Sequence, residues 1–189
     1  MRITGGELGG RVLQVPKSGA IRPTQDRVRE ALFSMLQCEV PGATVLDMFA
    51  GTGSFGLDAI SRGAARATFV EANAKHLETL RSNVETLGKA SVSDLVRGDA
   101  YRYISSYSGA GFDIAFADPP YALGEEKGYA SVLKTLSDRG VVRPGGIFVA
   151  EMTSAQSSEK TLGWELLRDR TYGRTRICVW RRADGGHLP

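Results

Sequence analysis

Apolar residues in this chain gather in short runs that stop at glycine or a carboxylate, and between the runs the apolar step lengthens to three or four residues. The first run, Ala43-Thr44-Val45-Leu46-Asp47-Met48-Phe49, predicts a strand that ends at a glycine cluster. A helix is predicted from Ser54 to Arg62, burying Phe55, Leu57, Ala59 and Ile60. Ala67–Glu71 is a second strand, and Ala74–Leu87 a second helix, with Leu77, Leu80, Val84 and Leu87 on one face and Gly88 as its stop. Asp94–Ala100 and Phe112–Ala117 are predicted strands, the latter running into Asp118-Pro119-Pro120-Tyr121. Gly128–Leu136 reads as helix. Arg143-Pro144-Gly145-Gly146 turns into a strand over Ile147–Glu151, and Leu162–Asp169 with Thr175–Arg182 forms a closing hairpin. Strands alternating with helices give an α/β fold, a mostly parallel sheet covered on both faces and finished by antiparallel strands.

Residues 1–40 differ. Glycines crowd the first nineteen residues and predict turns or a short hairpin; a helix then spans Thr24–Leu36, with Val28, Ala31, Leu32, Met35 and Leu36 as its apolar stripe and Arg22, Arg27 and Arg29 riding on or beside it. The organisation expected is an N-terminal extension over 1–40, one domain over 41–183 and a loose tail over 184–189.

Composition narrows the class. At 189 residues, 42% hydrophobic and 24% charged, the chain suits one globular domain rather than a disordered, collagen-like or membrane protein. Two cysteines, Cys38 and Cys178, lie far apart, match no metal spacing and read as core residues; His76 and His187 read as surface residues, and no metal is expected. No signal peptide is recognised, and a reducing cytoplasm is the simplest setting. The net charge of +3 is unevenly spread: six basic against four acidic residues in 1–40, twelve against fifteen in 41–165, six against two in 166–189. Arginine outnumbers lysine eighteen to six, which suits phosphate contacts, although a codon bias would give the same ratio. Basic ends make a nucleic-acid partner plausible.

Two motifs carry chemistry. Gly51-Thr52-Gly53-Ser54-Phe55-Gly56 is a GxGxxG string between a strand and a helix, and Glu71 ends the next strand twenty residues after Gly51. That context suits a nucleotide-type cofactor, with the acid on ribose hydroxyls. A glycine turn serving only helix–strand packing is the alternative reading of the string. Asp47, Glu71 and Asp99 close three successive strands, making a negative site that favours a cofactor with ammonium and sulfonium groups over an anionic pyrophosphate. S-adenosylmethionine is that cofactor. The second motif, Asp118-Pro119-Pro120-Tyr121, is a rigid turn after a strand. Asp118 and a neighbouring carbonyl can accept from an exocyclic amine, while Tyr121 can stack on the base that carries it.

Asp47–Gly56, Glu71, Asp99 and Asp118–Tyr121, in this order, resemble the class I, Rossmann-like S-adenosylmethionine-dependent methyltransferases. Gly5-Gly6 through Gly10-Arg11, Ile21–Phe33 and Tyr172-Gly173 further resemble the RsmD-type 16S rRNA (guanine-N2)-methyltransferases; Ser34 departs from the asparagine expected there. The resemblance covers nearly the whole chain. It implies a seven-stranded sheet with the last hairpin inserted at one edge, and methylation of one guanosine N2 of small-subunit rRNA near the decoding region. Asp47, Phe49, Ala50, Gly51 and Gly53 would hold the methionine end of S-adenosylmethionine, Glu71 its ribose, and Asp99 with the Ala100 amide its adenine. Asp118, Pro119, Pro120 and Tyr121 would be catalytic, and Arg22, Thr24, Asp26 and Arg27 would border cofactor or RNA. The partner would be 16S rRNA, in an assembled or assembling 30S subunit, and the enzyme a monomer. Amino-methylation of DNA adenine or of a protein glutamine is the competing enzymatic reading. An NAD(P)-linked oxidoreductase leaves Asp118–Tyr121 unexplained, and an RNA-binding protein with a vestigial cofactor site leaves the intact loop unexplained.

Overall fold

The computed structural model describes residues 1–16, 23–119, 129–153 and 161–184, with residues 23–25 as backbone only. Its elements are α1 (Pro23–Met35), β1 (Thr44–Asp47), α2 (Ser54–Ser61), β2 (Arg66–Glu71), α3 (Ala74–Thr86), a 3-10 turn (Ala90–Val92), β3 (Ser93–Arg97), α4 (Ala100–Ser105), β4 (Phe112–Ala117), α5 (Tyr129–Asp138), β5 (Val142–Thr153), β6 (Trp164–Tyr172) and β7 (Thr175–Arg182). The seven strands run β3-β2-β1-β4-β5-β7-β6 across the sheet. The α/β fold with an antiparallel C-terminal pair is the one expected from the sequence. The chain divides into two compact units, Met1–Ala100 and Tyr101–Pro189.

In the first unit β2 pairs in parallel with both β1 and β3. Val45, Leu46, Phe69 and Val70 are fully buried, as continuous apolar strands covered on both faces must be. The helix α2 is buried nearly all round rather than on one stripe: Asp58 and Ser61 are buried with its apolar residues, while Phe55 is only half-buried. Asn73 caps α3 by accepting from the Lys75 and His76 amides, and Gly88 ends it at a positive φ of 66°.

The strap formed by residues 1–16 is packed down, not loose. Its only strand-like feature is the antiparallel bridge Arg2–Val12, yet Ile3 and Leu13 are buried. The Glu7 amide donates to the Ser61 carbonyl, the Leu8 amide to Ser61 Oγ, and Ser61 Oγ donates to the Gly5 carbonyl. A Cβ on Gly6 would stand 1.9 Å from the Ser61 carbonyl oxygen, and Gly6 has a φ of 76°, so only glycine closes this contact.

In the second unit β4 and β5 are parallel, and β7 lies antiparallel between β5 and β6. Phe148, Trp180 and Tyr129 stack within it, at 5.7 Å between the Phe148 and Trp180 rings and 6.3 Å between Tyr129 and Trp180.

Several local expectations are corrected. Arg143–Gly146 belongs to β5 itself, with a register shift against β4 between Phe112 and Ile114 that absorbs the proline-glycine bend. Ala100 opens a six-residue helix instead of closing a strand, so β3 stops at Arg97 and Asp99 lies two residues beyond it. Cys38 is exposed, whereas Cys178 is buried as expected, its thiol pushed up to about 12 by desolvation and then by the nearby Asp169. Arg29 does not ride on the surface of α1; it is 2% exposed. Ser34 is exposed, donating back to the Glu30 carbonyl, so its departure from asparagine leaves helix packing untouched.

Candidate cofactor and base-binding sites

The first candidate site lies wholly in the first unit, where β1 and β2 end. Asp47 is the last residue of β1 and is 2% exposed; its Oδ2 accepts from the Gly56 amide at 3.0 Å, the first turn of α2. Burial is the main reason its carboxyl is pushed up to about 7; the negative Glu71 adds to the rise, while the Gly56 bond and Arg29 oppose it. Glu71, the last residue of β2, accepts from the Gly51 amide at 2.7 Å through Oε2 and from the Asn73 amide at 2.7 Å through Oε1. Two carboxylates therefore grip the glycine loop at both ends.

The loop glycines answer to different needs. Gly51 and Gly53 have φ of 54° and 90°. Gly56 has an ordinary helical backbone, but a Cβ there would stand 2.2 Å from Phe69 Cε1, so its absence lets α2 close onto β2. Beside Gly51 a Cβ would meet nothing within 4 Å, which leaves open space on that face. Ala50 is buried and its amide donates to the Val70 carbonyl, Phe49 is half-buried, and the Gly98 amide donates to the Glu71 carbonyl. Asp99 is exposed and Ala100 buried, so the third carboxylate is reached from solvent while Asp47 is not.

The second candidate site is in the second unit. Asp118 follows the last residue of β4 and is half-buried, and Pro119 is buried. Pro120 and Tyr121 lie outside the described residues. Tyr129, at the start of α5, donates to the Glu151 carbonyl at 2.8 Å. Its phenol is pushed well above the usual range, first by desolvation and then by the charge of nearby Asp118, so it is a neutral donor at any physiological pH.

Of the residues expected to border RNA, Arg22 and the Thr24 side chain lie outside the described residues, and Arg27 is exposed. Asp26 is engaged: Arg29 Nη2 donates to its Oδ1 at 3.0 Å, and Arg2 Nε lies 3.8 Å from its Oδ2.

Three groups were not singled out from the sequence. Asp58, on α2, is fully buried; it accepts from Arg29 Nε at 2.6 Å and from the Thr4 amide at 2.9 Å, with Arg62 Nε at 3.6 Å. Arg62 in turn lies 4.9 Å above the Phe33 ring. Asn83, on α3, accepts from the Gln14 amide at 2.8 Å and donates to the Gln14 and Thr52 carbonyls at 3.1 and 3.0 Å, joining strap and glycine loop. Tyr129 is the third. A polar residue at a helical core position, as in Leu57-Asp58-Ala59, was the only local signal available.

Comparison with known proteins follows these features across the chain. Residues 1–181 match the family described as conserved hypothetical protein 95. Ribosomal RNA small subunit methyltransferase D of Escherichia coli (strain K12) is 35% identical over 190 residues, covering 98% of this chain and 92% of the relative. The solved structure of the Escherichia coli protein yhhF superposes with a TM-score of 0.86 at 32% identity, over 97% of this chain and 98% of the other. An RNA methyltransferase from Salinibacter ruber, solved in complex with S-adenosyl-L-homocysteine, shares the fold at a TM-score of 0.64 and 13% identity, over 94% of this chain and 97% of that one.

Proposed function

This chain belongs to the conserved hypothetical protein 95 family, that of the RsmD-type small-subunit ribosomal RNA methyltransferases, and from that premise we propose that it transfers a methyl group from S-adenosylmethionine to the exocyclic N2 amine of one guanosine in 16S rRNA. The observation that carries the reading is the glycine loop held by Glu71 on Gly51 and by Asp47 on Gly56. A pyrophosphate would meet both acids at close range, whereas ammonium and sulfonium groups are attracted by them.

The residues fit this cofactor. Glu71 spends one lone pair of each oxygen on backbone amides, leaving capacity for ribose hydroxyls. Asp47, Phe49, Ala50, Gly51 and Gly53 would hold the methionine end, and Asp99 with the Ala100 amide the adenine. When bound, the cofactor supplies an electrophilic methyl group on sulfur. Asp118 and a carbonyl of the Pro119-Pro120 turn would accept from the guanine amine, aim its lone pair and stabilise the positive charge that develops on it. Tyr121 would stack on the extruded base, offsetting the few kcal/mol that unstacking costs. Orientation supplies most of the rate, and no covalent enzyme intermediate is required.

Residues 1–40 are taken as the extension, 41–183 as the catalytic domain and 184–189 as a tail. Arg22, Thr24 and Arg27 would border the RNA, with Asp26 holding that helix through Arg29. The enzyme would act in the cytoplasm, as a monomer, on a 30S subunit; no helix among the described residues is long and apolar enough to cross a membrane.

Tritiated methyl transfer to naked 16S rRNA, to 30S subunits lacking the modification and to genomic DNA tests the reading. Label in N2-methylguanine of rRNA or subunits supports it; label in DNA alone overturns the substrate. S-adenosylhomocysteine should raise the melting temperature and NADH should not.

A further inference from the structure

The six arginines of residues 166–189 are not equivalent in the fold. Arg176 is spent on Asp169, with Nε donating to Oδ1 at 2.8 Å and Nη2 engaging Oδ2. Arg182 is turned inward, donating through Nη1 to the Val142 carbonyl. Arg181 is half-buried. Arg168, Arg170 and Arg174 form a different class: all three are exposed, and none is in an ion pair among the described residues. Arg168 and Arg170 contact only the carbonyls of their preceding residues, at 2.7 and 3.3 Å. Each guanidinium therefore keeps most of its five donors for a partner.

Their placement makes one surface. Arg168 and Arg170 are two apart on β6, which puts both on one face of the strand roughly 7 Å apart. Arg174 sits in the two-residue turn between Tyr172 and Thr175, at the tip of the same hairpin. β6 is the terminal strand of the sheet order, so one of its edges carries no neighbouring strand among the described residues. On β7 the residues paired with Arg168 and Arg170, Val179 and Ile177, are buried. The basic row thus runs beside buried apolar residues; of the acids on β6, Asp169 is paired with Arg176, and the exposed Glu165, three residues before Arg168, is in no ion pair with the row among the described residues.

Resting on the rRNA reading above, we propose that Arg168, Arg170 and Arg174 form a phosphate-docking surface that grips the rRNA backbone. Charge complementarity selects the occupant: three uncommitted, bidentate-capable cations in a row match a polyanion, and arginine fits phosphate oxygens in pairs. Such contacts fix register and orientation without reading sequence. The competing role for charge on a terminal strand is to block pairing with other sheets, and the experiment separates the two.

The triple variant Arg168→Gln, Arg170→Gln, Arg174→Gln is compared with a control losing the same charge elsewhere, Lys75→Gln, Arg81→Gln, Arg139→Gln. Binding to a 16S rRNA fragment is measured by anisotropy across a salt series, with S-adenosylhomocysteine binding as the check on folding. The surface variant should weaken rRNA binding by at least tenfold near physiological salt and lower the slope of log affinity against log salt by about 2, at roughly 0.7–0.9 per phosphate lost. The control should change neither by as much. Lysines at the three positions should restore most of the slope. Equal losses in both variants, or an unchanged slope with aggregation of the surface variant, overturn the proposal. If wild-type protein binds no rRNA, both this inference and the rRNA reading fall. If it methylates rRNA with affinity insensitive to the three arginines, only this inference falls.

Discussion

Asp47 and Asp58 stand eleven residues apart, both fully enclosed in the same unit, and the chain treats them in opposite ways. Asp58 is met by the Arg29 guanidinium, the more distant Arg62, the Thr4 amide and the Thr4 hydroxyl. Asp47 receives one backbone amide, from Gly56, and its carboxyl is pushed up to about 7. A buried carboxylate supplied with cations is a structural joint. One left with a single donor beside a second acid is costly to ionise, and that cost is relieved only when a cation arrives. The difference separates the acid that holds the fold from the acid proposed to meet the cofactor.

The largest effect should come from breaking the satisfied acid. Arg29→Ala strands Asp58 in the core and should lower unfolding free energy by about 3–5 kcal/mol, measured by urea denaturation. Pairing it with Asp58→Leu should recover part of that loss. Full stability in the single variant would mean that Arg29 is not the counter-charge.

Asp47→Asn should act the other way on stability. A carboxyl whose pKa rises on folding binds its proton more tightly in the native state. Its ionisation therefore lowers stability progressively between about pH 4 and pH 7, the interval from its ordinary value to the raised one. The asparagine variant should be the more stable by up to about 4 kcal/mol at pH 8 and no different at pH 4. It should also bind S-adenosylmethionine more weakly. Greater stability with undiminished cofactor affinity would remove Asp47 from the site.

Cofactor affinity itself should fall as pH drops below 7, by at most about tenfold per unit, because a cation prefers the ionised Asp47. Titration calorimetry at pH 6, 7 and 8 checks this, and the dependence should vanish in Asp47→Asn. Smallest of all, Gly51→Ala should cost about 1 kcal/mol for its positive φ, with open space on its side-chain face.

Much of this was legible in order along the chain. β4 was read to the residue, and the glycine loop with Glu71 was found from spacing because a strand, a tight turn and a helix leave local marks. Asp47 was marked by its place at a strand end before the glycine loop, whereas Asp58, inside a helix, carries no mark of its burial. Their separation depends on Arg29 and Thr4, 29 and 54 residues from Asp58, and no local pattern announces that an arginine between the buried Val28 and the exposed Glu30 will be drawn inward. The helix Ala100–Ser105 was missed because six residues are too few to show a period, and Asp99 was consequently placed on a strand. Tyr129 carries no motif; its proximity to Asp118 exists only once α5 packs on β5, the strand paired with β4.

The strap of residues 1–16 also sets a timetable. Its partners are far downstream: Thr4 waits for Asp58, and Gln14 waits for Asn83, 69 residues later. At about 5–20 residues per second of synthesis, Gln14 spends several seconds without its partner. The first residues made are thus fixed only after the chain has reached Asn83, and the glycine loop, held to Asn83 through Thr52, gains that support no earlier.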